Sequence, residues 1–198
     1  MSIATIARLK IALNNVEPAV VRRVEVPFNI RLDRLHLVLQ AAMGWTNSHL
    51  YEIRAGGAGW GIPSPDWPDG PLDASKARLH RVVEDTGART LHYVYDFGDG
   101  WDHTIKIESV SDPVFGVLYP RLLDASGRCP PEDVGGPFGY AEALEAIADP
   151  SHERHDELKE WMPENFDPKV VDVIALADTV EILAKRWSRQ PAGRRPKA

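Results

Sequence analysis

Two segments of this chain, 96–103 and 129–140, concentrate acidic, glycine and aromatic residues. Carboxylate and imidazole groups are the side chains that bind divalent cations or transfer protons. Together with an earlier histidine, the segments supply a candidate polar cluster of His49, Asp96, Asp99, Asp102, His103, Glu132 and Asp133. Within it, the candidate ligands for a divalent metal are Asp99, His103, Glu132 and Asp133. The residue types predict a metal or acid–base site if the fold brings them together.

His103 is the central residue of this prediction. It alternates with Trp101, Ile105 and Ile107, so we expect it on the buried face of a strand. A buried imidazole needs a hydrogen-bond partner, and the acidic residues of the two segments are the nearest candidates. His103 is then either a ligand or base, or a histidine that pins the hairpin to the loop. We expect the hairpin 98–101 to pack against the loop 130–136 and to form one shared polar cluster around His103.

No established catalytic signature accompanies the cluster. Asp96-Phe97-Gly98 matches a kinase triplet by letters alone, and the other kinase motifs are missing. Cys129 is the only cysteine, which excludes a cysteine-based zinc site. The Gly- and Pro-rich segment 55–77 is expected to be a long surface insertion that presents Trp60 and Trp67 as an adhesive patch. We therefore expect a non-enzymatic binding or adaptor domain, with a metal-dependent hydrolase-like enzyme as the alternative.

Hydrophobic periodicity indicates an α+β fold. Alternation over 7–13 and 20–26 predicts two antiparallel strands, and helical spacing over 32–42 predicts a helix that ends at Gly44. Further strands are expected at 50–54, 91–97, 101–107 and 116–123. Helices are expected from about residue 139 onward, the last one opened by Asp167-Pro168. The prediction is a mainly antiparallel, mixed sheet with one helix packed across it and a C-terminal set of helices.

The charge distribution indicates which classes of partner the protein can bind. The formal net charge is −6, and the tail 188–198 carries four basic and no acidic residues, which leaves −10 on the remainder. An acidic body repels phosphate backbones, so nucleic acid is not expected as its partner. No signal peptide or membrane segment is evident, and we expect a cytoplasmic protein that binds a protein or a small ligand. We expect one domain over 1–187 and a flexible basic tail over 188–198.

Three segments carry a family resemblance. Residues 45–52, 95–103 and 129–140, in this order, resemble the plasmid pRiA4b ORF-three-like family, and so do residues 20–27 and 165–168. The resemblance extends over roughly residues 5 to 175. It implies a bacterial protein, often associated with plasmids or mobile elements, whose biochemical function is not established.

Overall fold

The computed structural model describes residues 5–188, so the predicted basic tail beyond Ser188 lies outside the described residues. Its strands are β1 Ile6–Leu13, β2 Val20–Pro27, β3 Tyr51–Ala55, β4 Ala58–Gly61, β5 Leu72–Asp73, β6 Thr90–Tyr95, β7 Trp101–Ser111 and β8 Arg121–Ser126. Its helices are α1 Leu32–Met43, α2 Leu79–Thr86, α3 Gly136–Ala148, α4 His155–Trp161 and α5 Val173–Ser188. Strands and helices thus mix along the chain as an α+β protein requires.

One sheet contains all eight strands, in the order β5-β4-β3-β6-β7-β1-β2-β8. Every pairing is antiparallel except that of β4 with β5. The alternation in β1 buries Ala7, Leu9 and Ile11, because the facing surface of the sheet is covered. The predicted fold class and the antiparallel β1–β2 pair are confirmed.

Helix α1 covers this sheet through a buried stripe that includes Leu32, Leu35 and Leu39. It ends at Gly44, whose φ of 85° lies in the left-handed region and whose N–H bonds to the carbonyl of Gln40. Helix α5 packs on α1 and on β8. Within the described residues, no helix is both long and apolar enough to cross a bilayer.

The structure differs from the predicted elements in three places. The segment 55–77 is not an unstructured insertion, because it contains β4, which pairs with β3, and β5, which pairs with β4. Helix α2 follows this segment and was not predicted. The strand expected at 116–123 is β8, displaced to residues 121–126 by its pairing with β2. Helix α5 begins at Val173, where Asp172 Oδ1 accepts the N–H of Ala175, whereas Asp167 accepts the N–H of Lys169 in a turn.

Candidate functional site

Three side chains from separate parts of the chain converge at one edge of the molecule. His49 precedes β3, Asp96 follows β6, and Asp133 lies in the loop before α3. Nε2 of His49 is 3.1 Å from Oδ1 of Asp133 and 3.6 Å from Oδ2 of Asp96. One ligand atom from each residue lies within 4.8 Å of the other two. Among residues 5–188 this cluster is the only group of three or more histidine, cysteine or acidic side chains whose ligand atoms lie this close together.

The backbone fixes where both aspartates point. Asp96 and Asp133 have φ values of 55° and 62°, a region that non-glycine residues rarely occupy. Oδ1 of Asp96 accepts the N–H of Gly98, which leaves Oδ2 directed at His49. The hydroxyl of Tyr95 accepts the N–H groups of Ser48 and His49 and so anchors the histidine. The convergence therefore follows from the hairpin turn and its neighbouring loops.

The distances suit a shared cation. Two ligand atoms about 2.0–2.1 Å from a tetrahedral zinc ion are roughly 3.3 Å apart, close to the spacings of His49 Nε2 from the two carboxylates. Nε2 is buried, yet no acceptor meets it with hydrogen-bond geometry, Asp133 included. A neutral nitrogen lone pair facing two carboxylates would be repelled by them. A cation between the three groups would satisfy all of them.

Glu132 has a different role from its neighbour Asp133. Its carboxylate accepts hydrogen bonds from the N–H and hydroxyl of Thr46 and from the hydroxyl of Tyr95. Burial alone would raise the pKa of Glu132, but these hydrogen bonds outweigh burial and lower it. Burial and the bond to Glu132 in turn raise the pKa of the Tyr95 hydroxyl above its usual range. Glu132 therefore joins the 44–50 loop to β6, and among the described residues it does not share a metal-type cluster with His103.

His103 is buried as predicted but has other partners. Its Nδ1–H donates to the carbonyl oxygens of Tyr93 and Trp101, at 3.0 and 3.1 Å, and among the described residues no carboxylate bonds to the ring. Burial lowers its pKa to about 4, so the ring is neutral at neutral pH. The expected bond to an acidic residue is wrong, because the strand backbone is nearer to the ring than either loop.

The other two aspartates also lie apart from the metal-type cluster. Oδ2 of Asp99 accepts the N–H of Gly135 at 3.2 Å, which confirms that the hairpin packs against the 130–136 loop. Asp102 is on the opposite face of β7, where it accepts a bond from Asn14 and faces His92 at 3.6 Å. Of the predicted metal ligands, only Asp133 belongs to the converging set, and His49 and Asp96 complete it.

The two tryptophans of the proposed adhesive patch differ in exposure. Trp67 is 51% exposed, whereas Trp60 is half-buried, packs against the main core and pairs with Ile53 across β3 and β4. Trp60 forms one wall of a groove of about 530 Å³ that also contains Leu72. Pairing in the sheet thus leaves Trp67 the more exposed of the two, and their role as a binding surface stays a prediction.

Sequence reasoning missed the buried charged residue Arg22. Alternation in β2 places it on the same face as Val20 and Val24, and that spacing was the available signal. It is 1% exposed and lines a separate cavity beside Cys129. Tyr95, which positions both His49 and Glu132, was missed as well, since its alternation indicated only a core residue.

Comparisons with known proteins place the chain among uncharacterised relatives. It is 54% identical over 189 residues to the uncharacterized protein y4hQ of Sinorhizobium fredii. The aligned region covers 95% of this chain and 97% of the relative. The crystal structure of a protein of unknown function, MM3350 from Methanosarcina mazei Go1, superposes with a TM-score of 0.78 and 30% identity, covering 86% of this chain and 96% of that one. The model of the family described as plasmid pRiA4b ORF-3-like protein matches residues 5–175, and the chain therefore belongs to that family.

Proposed function

We propose that this protein binds a divalent cation through His49, Asp96 and Asp133. The observation that supports the proposal is the convergence of one imidazole nitrogen and two carboxylate oxygens within 4.8 Å. One nitrogen and two oxygen ligands suit a borderline transition metal such as Zn²⁺ or Mn²⁺. Because the three ligands come from loops that are fixed by Tyr95 and by the 98–101 turn, the site is built before the ion arrives.

The class of chemistry that this site supports is metal-assisted hydrolysis. Three protein ligands leave coordination positions open, which is typical of catalytic rather than structural zinc sites. The side chain of Asp133 is 70% exposed, so water and substrate can approach the open side. A bound cation would lower the pKa of a coordinated water and thereby produce a nucleophile at neutral pH. Glu132 takes no direct part, because its oxygens already accept three hydrogen bonds.

The test is a titration of the metal-free protein with Zn²⁺, Mn²⁺ and Mg²⁺, followed by calorimetry and thermal denaturation. We expect one equivalent of a transition-metal ion to bind and to raise the Tm as its concentration increases. His49→Ala and Asp133→Asn should abolish the rise, and both positions are accessible enough for the variants to fold.

His92→Ala and Asp124→Asn provide matched controls, since they remove one imidazole and one carboxylate from exposed positions elsewhere. Both should bind the ion as the wild type does. Equal binding by the His49 and Asp133 variants, or no binding by the wild type, would refute the proposed site.

A second candidate function, a protein-binding domain, is favoured by the exposed apolar side chains near the β4–β5 edge. Ile62, Trp67 and Leu72 are each more than half exposed there. Several large apolar side chains exposed in one region of a protein are typical of interaction sites. A Trp67→Ala variant should lose partners that the wild type captures from cell lysate, whereas Phe138→Ala, at an exposed site on α3, should keep them. Identical partner sets for the Trp67 variant and the wild type would exclude this surface.

A further inference from the structure

Arg22 is a buried, positively charged residue whose Nη2 group makes no hydrogen bond within the described residues. Its Nε donates to the carbonyl of Ala42, and its Nη1 donates to the carbonyls of Val21, Ser126 and Gly127. Its Nη2 is buried and makes no hydrogen bond within residues 5–188. An unsatisfied N–H on a buried charged group is unfavourable, and natural proteins rarely keep one. The donor is therefore available to a group that the chain itself does not supply.

Arg22 lines a cavity of about 470 Å³ between the end of α1, the loop 128–132 and the start of α5. This volume is typical of sites for small molecules. The side chains of Met43, Trp45, Phe166 and Leu176 form an apolar wall, and polar groups make up nearly as much of the lining. The cavity therefore combines one buried cationic donor with space for an apolar group.

The polar groups around the cavity favour an anionic ligand. The guanidinium of Arg128 stacks on the ring of Phe166 at 4.5 Å and contributes a second positive charge. Glu132 and Asp172 also line the cavity and offset these two positive charges. Their oxygens accept hydrogen bonds from neighbouring residues, whereas Nη2 of Arg22 has no partner among the described residues and favours a ligand with an acceptor oxygen. Burial raises the pKa of the Cys129 thiol to about 12, so Cys129 remains neutral and does not balance Arg22.

We propose that this cavity binds a small organic carboxylate whose oxygen accepts a hydrogen bond from Nη2 of Arg22 and whose apolar body packs against Phe166 and Leu176. A charge-assisted bond of this type is stronger than one between neutral groups. A carboxylate fits better than a phosphate, because a phosphate requires several donors and Nη2 of Arg22 is the one buried donor nitrogen that the described lining residues leave unpaired. This site is separate from the His49 cluster, and its test requires no metal.

The experiment compares benzoate with benzamide, its neutral counterpart of similar shape, by thermal denaturation at constant ionic strength. Benzoate should raise the Tm of the wild type in a saturable manner, and benzamide should not. The exposed residue Ala175 lines the cavity, so Ala175→Trp should block it without disturbing the core and should abolish the shift. Thr179→Trp, one turn further along the exposed side of α5, is the matched control and should respond as the wild type does.

Arg128→Gln tests the second positive charge, and it should weaken benzoate binding severalfold while the protein stays folded. Equal shifts with benzoate and benzamide would show that charge is not recognised and would overturn the proposal. So would an Ala175→Trp variant that responds as the wild type does, or inorganic phosphate giving a larger shift than benzoate.

Discussion

At the scale of single residues, two buried histidines link stability to pH. His36 stacks on Tyr51 with ring centroids 3.6 Å apart, and its ring nitrogens contact Tyr93 and Asn47. His103 is fully enclosed in β7. Burial lowers the pKa of each ring to about 4, from an ordinary value of 6.5. Between these two pH values the unfolded chain binds protons that the folded protein does not, so the free energy of unfolding falls as the pH falls.

We expect the free energy of unfolding to decrease by roughly 4 kcal/mol between pH 7 and pH 5, about half from each histidine. Urea denaturation across this range measures it, because the carboxylates with lowered pKa values protonate mainly at lower pH. His103→Leu should halve the pH dependence whatever it does to absolute stability. His92→Leu, at an exposed ring, should leave it almost unchanged. A pH-independent wild type would contradict this assignment.

At the scale of elements, Glu132 connects segments that are distant in sequence. It bonds to Thr46 in the loop after α1 and to Tyr95 at the end of β6, while the indole of Trp45 donates to the carbonyl of Pro130. Tyr95 also holds the backbone of His49. The 130–136 loop is thereby fixed relative to the sheet, and Asp133 is carried with it to the candidate cation site.

Glu132→Gln should reduce the free energy of unfolding by about 1–3 kcal/mol, because it weakens charge-assisted bonds to Thr46 and Tyr95. Tyr95→Phe removes one of the same bonds, so the double variant should lose less than the two single variants combined. Chemical denaturation of the four proteins measures this coupling. Glu164→Gln, at an exposed position, should be neutral. Strict additivity of the two changes would show that the Glu132–Tyr95 bond contributes nothing to stability.

The sequence predicts these elements well where periodicity is strong. The alternation in β1, β2, β6 and β7 reflects a sheet with one covered face, and the structure has these strands close to their predicted bounds. Elements without periodic residues were missed: β4 contains Gly59 and Gly61, and it pairs with β3 across the two-residue turn Gly56-Gly57. Strand β5 has two residues, too few for any periodic signal.

The candidate site shows the same limit. The sequence identifies a pool of acidic residues and histidines, and it predicts that the 98–101 turn meets the 130–136 loop. It does not show which of these acidic residues and histidines come together in the folded protein. That selection depends on the left-handed backbone at Asp96 and Asp133, which turns their carboxylates toward His49. The sequence places His103 on the correct face of its strand but predicts the wrong hydrogen-bond partners. Period-two alternation shows which face a residue occupies, and it does not show which groups lie beside the side chain.

At the scale of the whole molecule, buried apolar residues within 5–188 form two clusters of very different size. The larger one joins the sheet, α1 and α2, and it includes Leu9, Ile11 and Leu39. The smaller one contains only Ala143, Ala146, Leu158 and Met162, contributed by α3, α4 and the residue after α4. Val134 and Phe166 pack against both clusters. A unit with so few buried contacts should open at a lower free energy than the sheet.

We therefore predict that amide hydrogens of α3 and α4 exchange faster than those of β1 and β7. Leu158→Ala should remove on the order of 2 kcal/mol from the smaller cluster and accelerate exchange in α3 and α4, while β1 and β7 keep their protection. Leu9→Ala, in the larger cluster, should accelerate exchange throughout. Hydrogen exchange measured by mass spectrometry distinguishes these patterns. If Leu158→Ala lowered protection equally in β1 and α4, the two clusters would unfold as one cooperative unit.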